Sequence, residues 1–220
     1  VAAVLREVEA SDGAMVFLAS PNNPTGNRFA RADIEAILDA VQAIVVVDEA
    51  YIQFGGDSFI AALTRYPHLV VVRTFSKAFG LAGARVGWIV AREDVIAAVD
   101  KTLPPYNLNI FAQEAALAAL RRGDLVAERV QLIVRERERV ARAMDRLGIV
   151  PSYPSDTNFI LFRTPLPAAE LFERLRRQGV LVRDVSGQPL LERCLRVTIG
   201  TPEDNERFLR ALASALEDVR

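Results

Sequence analysis

Short runs of β-branched and other apolar residues alternate with helical patterns through the first hundred residues. The runs are AMVFLAS (14–20), AIVVVDEAY (43–51) and LVVVRTFS (69–76), and ARADIEAILDAV (30–41) spaces its apolar residues as a helix does. Near-continuous Val and Ile runs separated by a helix are typical of parallel strands covered on both faces. The pattern predicts an α/β fold with a mostly parallel sheet, and a ligand site at the carboxyl ends of its strands.

The remaining residues predict one more strand of this sheet and then a smaller α+β unit. RVGWIVA (85–91) is the further strand, and REDVIAAVDKTL is a helix that stops at Pro104 and Pro105. We therefore assign 1–106 to a large domain and 107–220 to connecting helices and a small domain. Further helices are predicted at 109–122, 124–147, 167–178 and from 202, and further strands at 158–163, 179–183 and 194–200.

Composition excludes several classes of protein. The chain has 220 residues, is 51% hydrophobic and carries a formal net charge of −1, so it can bury a sizeable core but lacks the basic excess of a nucleic-acid scaffold. The alternating charges of RERERVARAMDR (135–146) favour a solvated helix face with i,i+4 pairs over a nucleic-acid site. No apolar stretch approaches the roughly 18 residues of a membrane span. We predict neither nucleic acid nor membrane as a partner.

Single residues refine this picture. Cys194 is the one cysteine, so no internal disulfide is possible, and we expect an inert buried thiol in a cytoplasmic protein. His68 lies away from the motifs below, and we predict no metal site. Val1 stands where an initiator Met is usual, and VAAVLREVEASDGA reads as the tail of an amphipathic helix. We expect an N-terminal portion to be missing.

Lysine is rare in this chain, and one lysine stands in a distinctive motif. The sequence has 25 Arg but only two Lys, Lys77 and Lys101. Lys77 lies in RTFSKAFGLAGARVG (73–87). Because an amine can lose its proton and attack a carbonyl whereas a guanidinium cannot, Lys77 suggests covalent chemistry.

Polar residues of different types follow three of the predicted strands, and the sheet topology brings these ends together. Each has a plain structural explanation when taken singly. SPNNPTG can be only a turn, Asp48 can cap a helix, and Arg85 can be a surface charge. Their convergence on one edge instead favours a functional site. The candidates are Asn23, Asp48, Tyr51, Thr74, Ser76, Lys77 and Arg85.

In this order along nearly the whole chain, the motifs resemble those of fold-type I (class I and II) aminotransferases, which use pyridoxal 5'-phosphate (PLP). The resemblance implies that Lys77 condenses with the cofactor aldehyde and then moves a proton as general base and acid. It implies that Asp48 pairs with the pyridine nitrogen, so that the ring withdraws electrons.

The resemblance assigns the remaining cofactor contacts as well. Tyr51 and Asn23 are implied to hydrogen-bond the phenolic oxygen of the cofactor. Thr74, Ser76 and Arg85 are implied to bind its phosphate, with the arginine supplying a planar charged fork.

The substrate residues resemble the histidinol-phosphate aminotransferase branch. Arg196 in CLRVTIGT and Arg183 in GVLVRD are implied to bind the phosphate of histidinol phosphate, and Arg196 the α-carboxylate of glutamate. Asn158 is implied to line the substrate site, as are Tyr106 and Asn107 of PPYNLN. Two alternatives stay open, because the arginines can simply cap a sheet edge and Tyr106 and Asn107 can shape the domain border.

The function implied is amino transfer from histidinol phosphate to 2-oxoglutarate, giving imidazole acetol phosphate and glutamate, in a homodimer of histidine biosynthesis. Alternatives are another fold-type I enzyme, either an aromatic aminotransferase or an amino-acid phosphate decarboxylase. A further alternative is a non-catalytic PLP-binding module or an inactive fragment.

Overall fold

A computed structural model describes residues 1–11, 15–149 and 152–217 of the chain. These residues form two compact units, the first made of 1–21 and 28–127 and the second of 22–27 and 128–220. The expected border between residues 106 and 107 lies inside the first unit, and the domain assignment stays a prediction. Ala14, where the first strand was expected to begin, lies outside the described residues.

The described part of the first unit contains four helices and four strands. Its helices are α1 (Ala2–Ala10), α2 (Arg31–Ala40), α3 (Glu93–Asp100) and α4 (Ile110–Arg121). Its strands are β1 (Met15–Ala19), β2 (Ile44–Asp48), β3 (Leu69–Thr74) and β4 (Gly87–Val90). Short 3₁₀ turns lie at Ile52–Phe54, Ile60–Thr64 and Ala82–Ala84. These positions confirm the elements predicted from the periodicity of this part of the chain.

The sheet of the first unit has the order β1-β2-β3-β4, and its first three strands are parallel. Ala19 pairs with Asp48 and Asp48 pairs with Val72, so three consecutive strands end at the same edge. β4 returns antiparallel to β3, with Thr74 opposite Gly87. The expected mostly parallel sheet is therefore confirmed.

The core of the first unit follows from apolar residues at helix and strand spacing. Ile34, Ile37 and Leu38 of α2 are at most 4% exposed and pack in one cluster with Val45 and Val47 of β2. Spacings of three and four residues place the α2 side chains on one helix face, and a spacing of two places the β2 side chains on one sheet face. This packing fixes the strand ends that carry the candidate residues.

The second unit is an α+β arrangement in which every described strand pair is antiparallel. Its strands are β5 (Phe159–Arg163), β6 (Arg183–Asp184) and β7 (Cys194–Thr198), in the order β5-β7-β6. Its helices are α6 (Ala168–Arg177), α7 (Pro202–Leu216) and the 128–146 part of α5 (Gly123–Arg146). One apolar cluster joins the helices to the sheet, and it includes Met144, Phe162 and Leu212.

The prediction of a strand over residues 179–183 is wrong. Gly179 has a left-handed φ of 73° and the Val180 amide donates to the Leu175 carbonyl at 3.0 Å, so these residues close α6. Only Arg183 and Asp184 pair with β7. The apolar run VLV is therefore mostly a helix exit and not a sheet strand.

Candidate functional site

Asp48 and Thr74 end neighbouring parallel strands of the first unit. Because Asp48 pairs with Val72 and side chains alternate along a strand, Asp48, Val72 and Thr74 share one face of the sheet. The Ala50 amide donates to Asp48 Oδ1 at 2.9 Å, which orients the carboxylate. No other side-chain hydrogen bond to Asp48 occurs within the described ranges, so its Oδ2 retains full acceptor capacity.

Two hydroxyls follow β3 and are coupled to each other. Thr74 Oγ1 donates to Ser76 Oγ at 2.9 Å, and the Ser76 amide donates back to Thr74 Oγ1 at 3.0 Å. Thr74 Oγ1 also lies 3.4 Å from the Val86 carbonyl oxygen, and its one hydroxyl proton is shared between these two acceptors. The local turn therefore places two hydroxyls side by side at the carboxyl edge of the sheet.

Lys77 lies in a loop that closes on itself. The Gly80 amide donates to the Lys77 carbonyl and the Leu81 amide to the Phe75 carbonyl, each at 3.0 Å. Lys77 is exposed, and its Nζ lies 5.1 Å from the centroid of the buried Tyr51 ring. Within the described part of the chain, no carboxylate lies within ion-pair distance of this amine. The amine therefore makes a cation–π contact with Tyr51 and no salt bridge within the described residues.

Arg85 adopts a backbone conformation that residues with a Cβ atom rarely adopt. Its φ is 56° and ψ is 39°, in the left-handed region, and its Nη1 donates to the Ala82 carbonyl at 2.9 Å. The Phe75 amide donates to the Val86 carbonyl at 3.0 Å, which ties the loop before Lys77 to the residue after Arg85. A strained non-glycine residue next to a candidate site is a functional signal, because a glycine would fit the backbone at lower cost.

Asn23 belongs to the second unit, where its loop is closely packed. The Asp156 amide donates to the Gly26 carbonyl at 2.8 Å, and a Cβ on Gly26 would lie 2.8 Å from Ser155 Oγ. Gly26 also has a φ of 80°, so both backbone angle and space require glycine. Arg196 Nη1 donates to Asn23 Oδ1 in this unit.

Two arginines face each other in the sheet of the second unit. Arg183 of β6 and Arg196 of β7 are direct antiparallel partners, which places their side chains on the same face. The Arg196 guanidinium lies 4.7 Å from the centroid of the Phe159 ring. Like charges directly opposite each other destabilise a sheet, whereas an anion bound between them reverses the sign of that contribution. The anion site and the capped sheet edge therefore both stay predictions for this pair.

The other predicted substrate residues are less firmly placed. Asn158 is half-buried in the second unit, and its carbonyl accepts from the Ile199 amide at 2.9 Å. Tyr106 and Asn107 are exposed in the first unit, Tyr106 to 98%. No hydrogen bond, ion pair or ring contact within the described residues joins Tyr106 or Asn107 to Asp48 or Lys77.

The sequence reasoning missed one polar cluster behind the site. Glu49 is only 1% exposed and is paired with Arg73 at 2.8 Å. A signal for this cluster is present in the sequence. Glu49 directly follows an apolar strand and Asp48, and Arg73 lies in the next apolar strand directly before Thr74.

Across 1–11, 15–149 and 152–217, no helix is both long enough and apolar enough to cross a membrane. Within those ranges, no three His, Cys, Asp or Glu side chains are grouped as metal ligands.

The chain thus combines an α/β unit, with a lysine near the carboxyl edge of its sheet, and an α+β unit in which two arginines lie on neighbouring strands. This combination is that of a PLP-dependent enzyme of fold type I. The family described as aminotransferase class I and II matches residues 1–212, and the chain belongs to this family. Histidinol-phosphate aminotransferase 2 of Nitrosococcus oceani is 44% identical over 212 residues, covering 96% of this chain and 59% of that protein. This chain therefore spans about three fifths of the length of that curated relative.

Solved structures confirm the fold-type I prediction. Histidinol-phosphate aminotransferase from Sinorhizobium meliloti, in complex with pyridoxal-5'-phosphate, matches with a TM-score of 0.90 and 28% identity, covering 99% of this chain and 61% of that chain. L-threonine-O-3-phosphate decarboxylase from Porphyromonas gingivalis matches with a TM-score of 0.84 and 33% identity, covering 94% and 66%.

Proposed function

We propose that the protein containing this chain is a PLP-dependent aminotransferase acting on histidinol phosphate and 2-oxoglutarate. The observation that carries the proposal is Lys77, an amine beside the Tyr51 ring at the strand edge where Asp48 and Thr74 also end. Bound PLP supplies an aldehyde and an electron-withdrawing ring, which is the chemistry that amino transfer requires.

The residues of the first unit fit this cofactor. Asp48 has an oriented carboxylate with Oδ2 open to a protonated pyridine nitrogen. The hydroxyls of Ser76 and Thr74, together with Arg85, make a set of neutral and charged donors suited to a phosphate group. Tyr51 is the proposed donor to the phenolic oxygen, a role that we propose it shares with Asn23.

Lys77 performs the proton movement in this proposal. Its Nζ, once neutral, accepts the proton from the substrate carbon that bears the amino group and returns it on the cofactor side. An arginine does not serve here, because a guanidinium stays protonated throughout the physiological range.

Substrate binding is assigned to the second unit. Arg183 and Arg196 oppose each other on one sheet face, and a phosphate or a carboxylate satisfies both guanidinium groups. Asn23 accepts from Arg196 and thereby orients it. Asn158 of the second unit is proposed to line this site. Tyr106 and Asn107 of the first unit are proposed as further substrate residues.

A test with two amino donors separates the candidate activities. We expect full-length protein with PLP to form glutamate from 2-oxoglutarate when histidinol phosphate is the donor, and to do so much less well with phenylalanine. A preference for phenylalanine would instead indicate an aromatic aminotransferase. Cofactor binding without any turnover would indicate a non-catalytic module.

A phosphoamino-acid decarboxylase is the second candidate, and the 33% identity to the Porphyromonas gingivalis decarboxylase favours it specifically. It keeps the same proposed roles for Lys77 and Asp48 and also calls for an anion-binding arginine pair. Release of carbon dioxide from L-threonine-O-3-phosphate, with no glutamate formed from 2-oxoglutarate, would establish this alternative.

A homodimer and a cytoplasmic location accompany the proposal. The segment before and within α4 exposes Tyr106 to 98%, Ile110 to 61% and Phe111 to 83%, and exposed apolar patches are typical of protein interfaces. Cys194 is a fully buried free thiol, which suits a reducing compartment. Sedimentation of the full-length protein and of its Phe111→Ser variant tests the dimer, since the variant is expected to sediment as a monomer.

A further inference from the structure

We infer that Glu49 and Arg73 form a positioning pair for the proposed cofactor site: they fix the two strand ends that carry Asp48 and Thr74 without touching the cofactor. The inference rests on the proposed function, because it concerns the residues that would hold PLP. Neither Glu49 nor Arg73 belongs to the proposed set of contact residues.

Glu49 is a buried carboxylate with a complete set of partners. Its Oε2 accepts from Arg73 Nε at 2.9 Å, from Arg73 Nη2 at 2.8 Å and from Ser58 Oγ at 2.9 Å. Its Oε1 accepts from the Phe59 amide at 2.6 Å. A buried charge is tolerated only when it is paired and hydrogen-bonded in this way. The pair therefore has one well-defined geometry.

The strand register places this pair on the face opposite Asp48. Asp48 shares a face with Thr74 by the alternation of side chains. Glu49 directly follows Asp48 and Arg73 directly precedes Thr74, so both belong to the opposite face. The Glu49 amide donates to the Val72 carbonyl at 2.9 Å, so the ladder continues to Glu49. Any effect of the pair on a ligand at Asp48 must therefore pass through the backbone.

Arg73 extends the link to a third strand. It pairs with Trp88 of β4, and its guanidinium lies 5.2 Å from the centroid of the Trp88 ring. A Cβ on Gly87 would lie 2.8 Å from the Arg73 carbonyl oxygen, so β4 approaches Arg73 as closely as glycine permits. β2, β3 and β4 are thus fixed to one another directly behind Asp48, Thr74 and the loop to Lys77.

Stability alone does not account for such a pair. Replacing a buried ion pair by apolar residues of similar volume is often neutral or stabilising, whereas removing one partner leaves an uncompensated charge. Such a pair adds little net stability, but it holds the strands in a single geometry. This suits an active site, where a displacement of about 1 Å costs roughly 100-fold in rate.

The test compares full-length Glu49→Gln with a matched control, Glu35→Gln. Glu35 also accepts from an arginine in the first unit, Arg31, at 2.9 Å, but on the surface of α2. Gln cannot reproduce all four acceptor contacts of Glu49, because its amide nitrogen is only a donor. We expect Glu49→Gln to lower kcat by roughly 10- to 100-fold, and to leave KM for histidinol phosphate within about threefold, because the pair faces away from the site.

Two readouts do not depend on turnover. In Glu49→Gln, the pH midpoint of the visible absorption band of bound PLP should shift, because that midpoint depends on where Asp48 and Tyr51 lie. In the apo protein, the amides of Ala50 and Ser76, which bond to Asp48 and Thr74 side chains, should exchange hydrogen faster than in the control.

A double variant, Glu49→Met with Arg73→Leu, covers the case in which Glu49→Gln does not fold, because it leaves no buried unpaired charge. We expect it to fold, to bind PLP and to show the same loss of kcat and shifted band. Wild-type kcat and an unshifted band in either folded variant would overturn the inference. A wild-type protein that shows no PLP band would instead overturn the proposed function, which separates the two failures.

Discussion

Arg85 offers a test in which stability and cofactor binding move in opposite directions. A left-handed conformation costs a residue with a Cβ about 1–2 kcal/mol, and Arg85 has a φ of 56°. Glycine avoids this cost but loses about 0.5–1 kcal/mol of additional chain entropy on folding. The difference leaves glycine about 0 to 1.5 kcal/mol better than alanine at this position. Both Arg85→Gly and Arg85→Ala lose the bond to the Ala82 carbonyl, so the two variants differ only in their backbone cost.

Thermal unfolding of the apo proteins measures this difference. We expect the glycine variant to be about 1 kcal/mol more stable than the alanine variant, or about 2–4 °C higher in Tm for a protein of this size. The Kd for PLP should rise roughly 10- to 100-fold in both variants, since a hydrogen bond to a charged group contributes about 1.5–3 kcal/mol.

Arg193 supplies the matched control. It is an exposed arginine with a φ of 61°, in the second unit. Arg193→Gly should likewise be more stable than Arg193→Ala, and neither should change the Kd for PLP. If Arg85→Gly proves less stable than Arg85→Ala, the strain argument is wrong. An unchanged Kd for PLP in both Arg85 variants would refute its assignment to the phosphate.

Three further predictions address other residues. Lys77→Ala should abolish the visible band of bound PLP and all amino transfer, while Lys101→Ala should change neither; a band that survives in Lys77→Ala would exclude the lysine role. Arg183→Gln should raise KM for histidinol phosphate at least about tenfold with kcat nearly unchanged, as measured by steady-state kinetics. Urea titration should show a free energy of unfolding higher by up to about 0.5 kcal/mol, because the repulsion across the sheet is removed. Hydrogen bonds from Arg139 and Asn205 lower the pKa of the buried Glu136. The ionised Glu136 therefore stabilises the fold above the ordinary carboxyl pKa, and this stabilisation is lost as the pH falls through the lowered pKa of the folded protein. Glu136→Gln should flatten the acid limb of a curve of unfolding free energy against pH. An unchanged acid limb would contradict the lowered pKa of Glu136.

The elements that the sequence predicted well are those with local signals. Apolar periodicity was sufficient for β1 to β3, and helix α7 begins at Pro202, where it was expected. Thr201 Oγ1 accepts from the Asp204 amide there and caps the helix. The strand predicted at 179–183 failed because an apolar run has no local mark that separates a strand from a helix exit. There the deciding contact, from the Val180 amide to the Leu175 carbonyl, belongs to the preceding helix.

Contacts between residues far apart in the sequence limit how much of the site the sequence can predict. Asn23 stands in a turn that directly follows β1, yet its loop belongs to the second unit, through partners such as Asp156 that lie 130 residues later in the chain. Glu49 was overlooked for the same reason. Its main partner, Arg73, is 24 residues away, and only the register of β2 and β3 reveals that the two charges neutralise each other.

Arginine shows most clearly what register adds to composition. With 25 arginines in the chain, residue type alone does not separate a structural from a functional cation. The structure separates them by what each one faces. Arg73 lies against a buried carboxylate, whereas Arg183 lies opposite Arg196. The first arrangement is satisfied within the protein. The second places like charges on one sheet face, where a bound anion would be favourable, and this arrangement supports the proposal of a phosphorylated or carboxylated substrate.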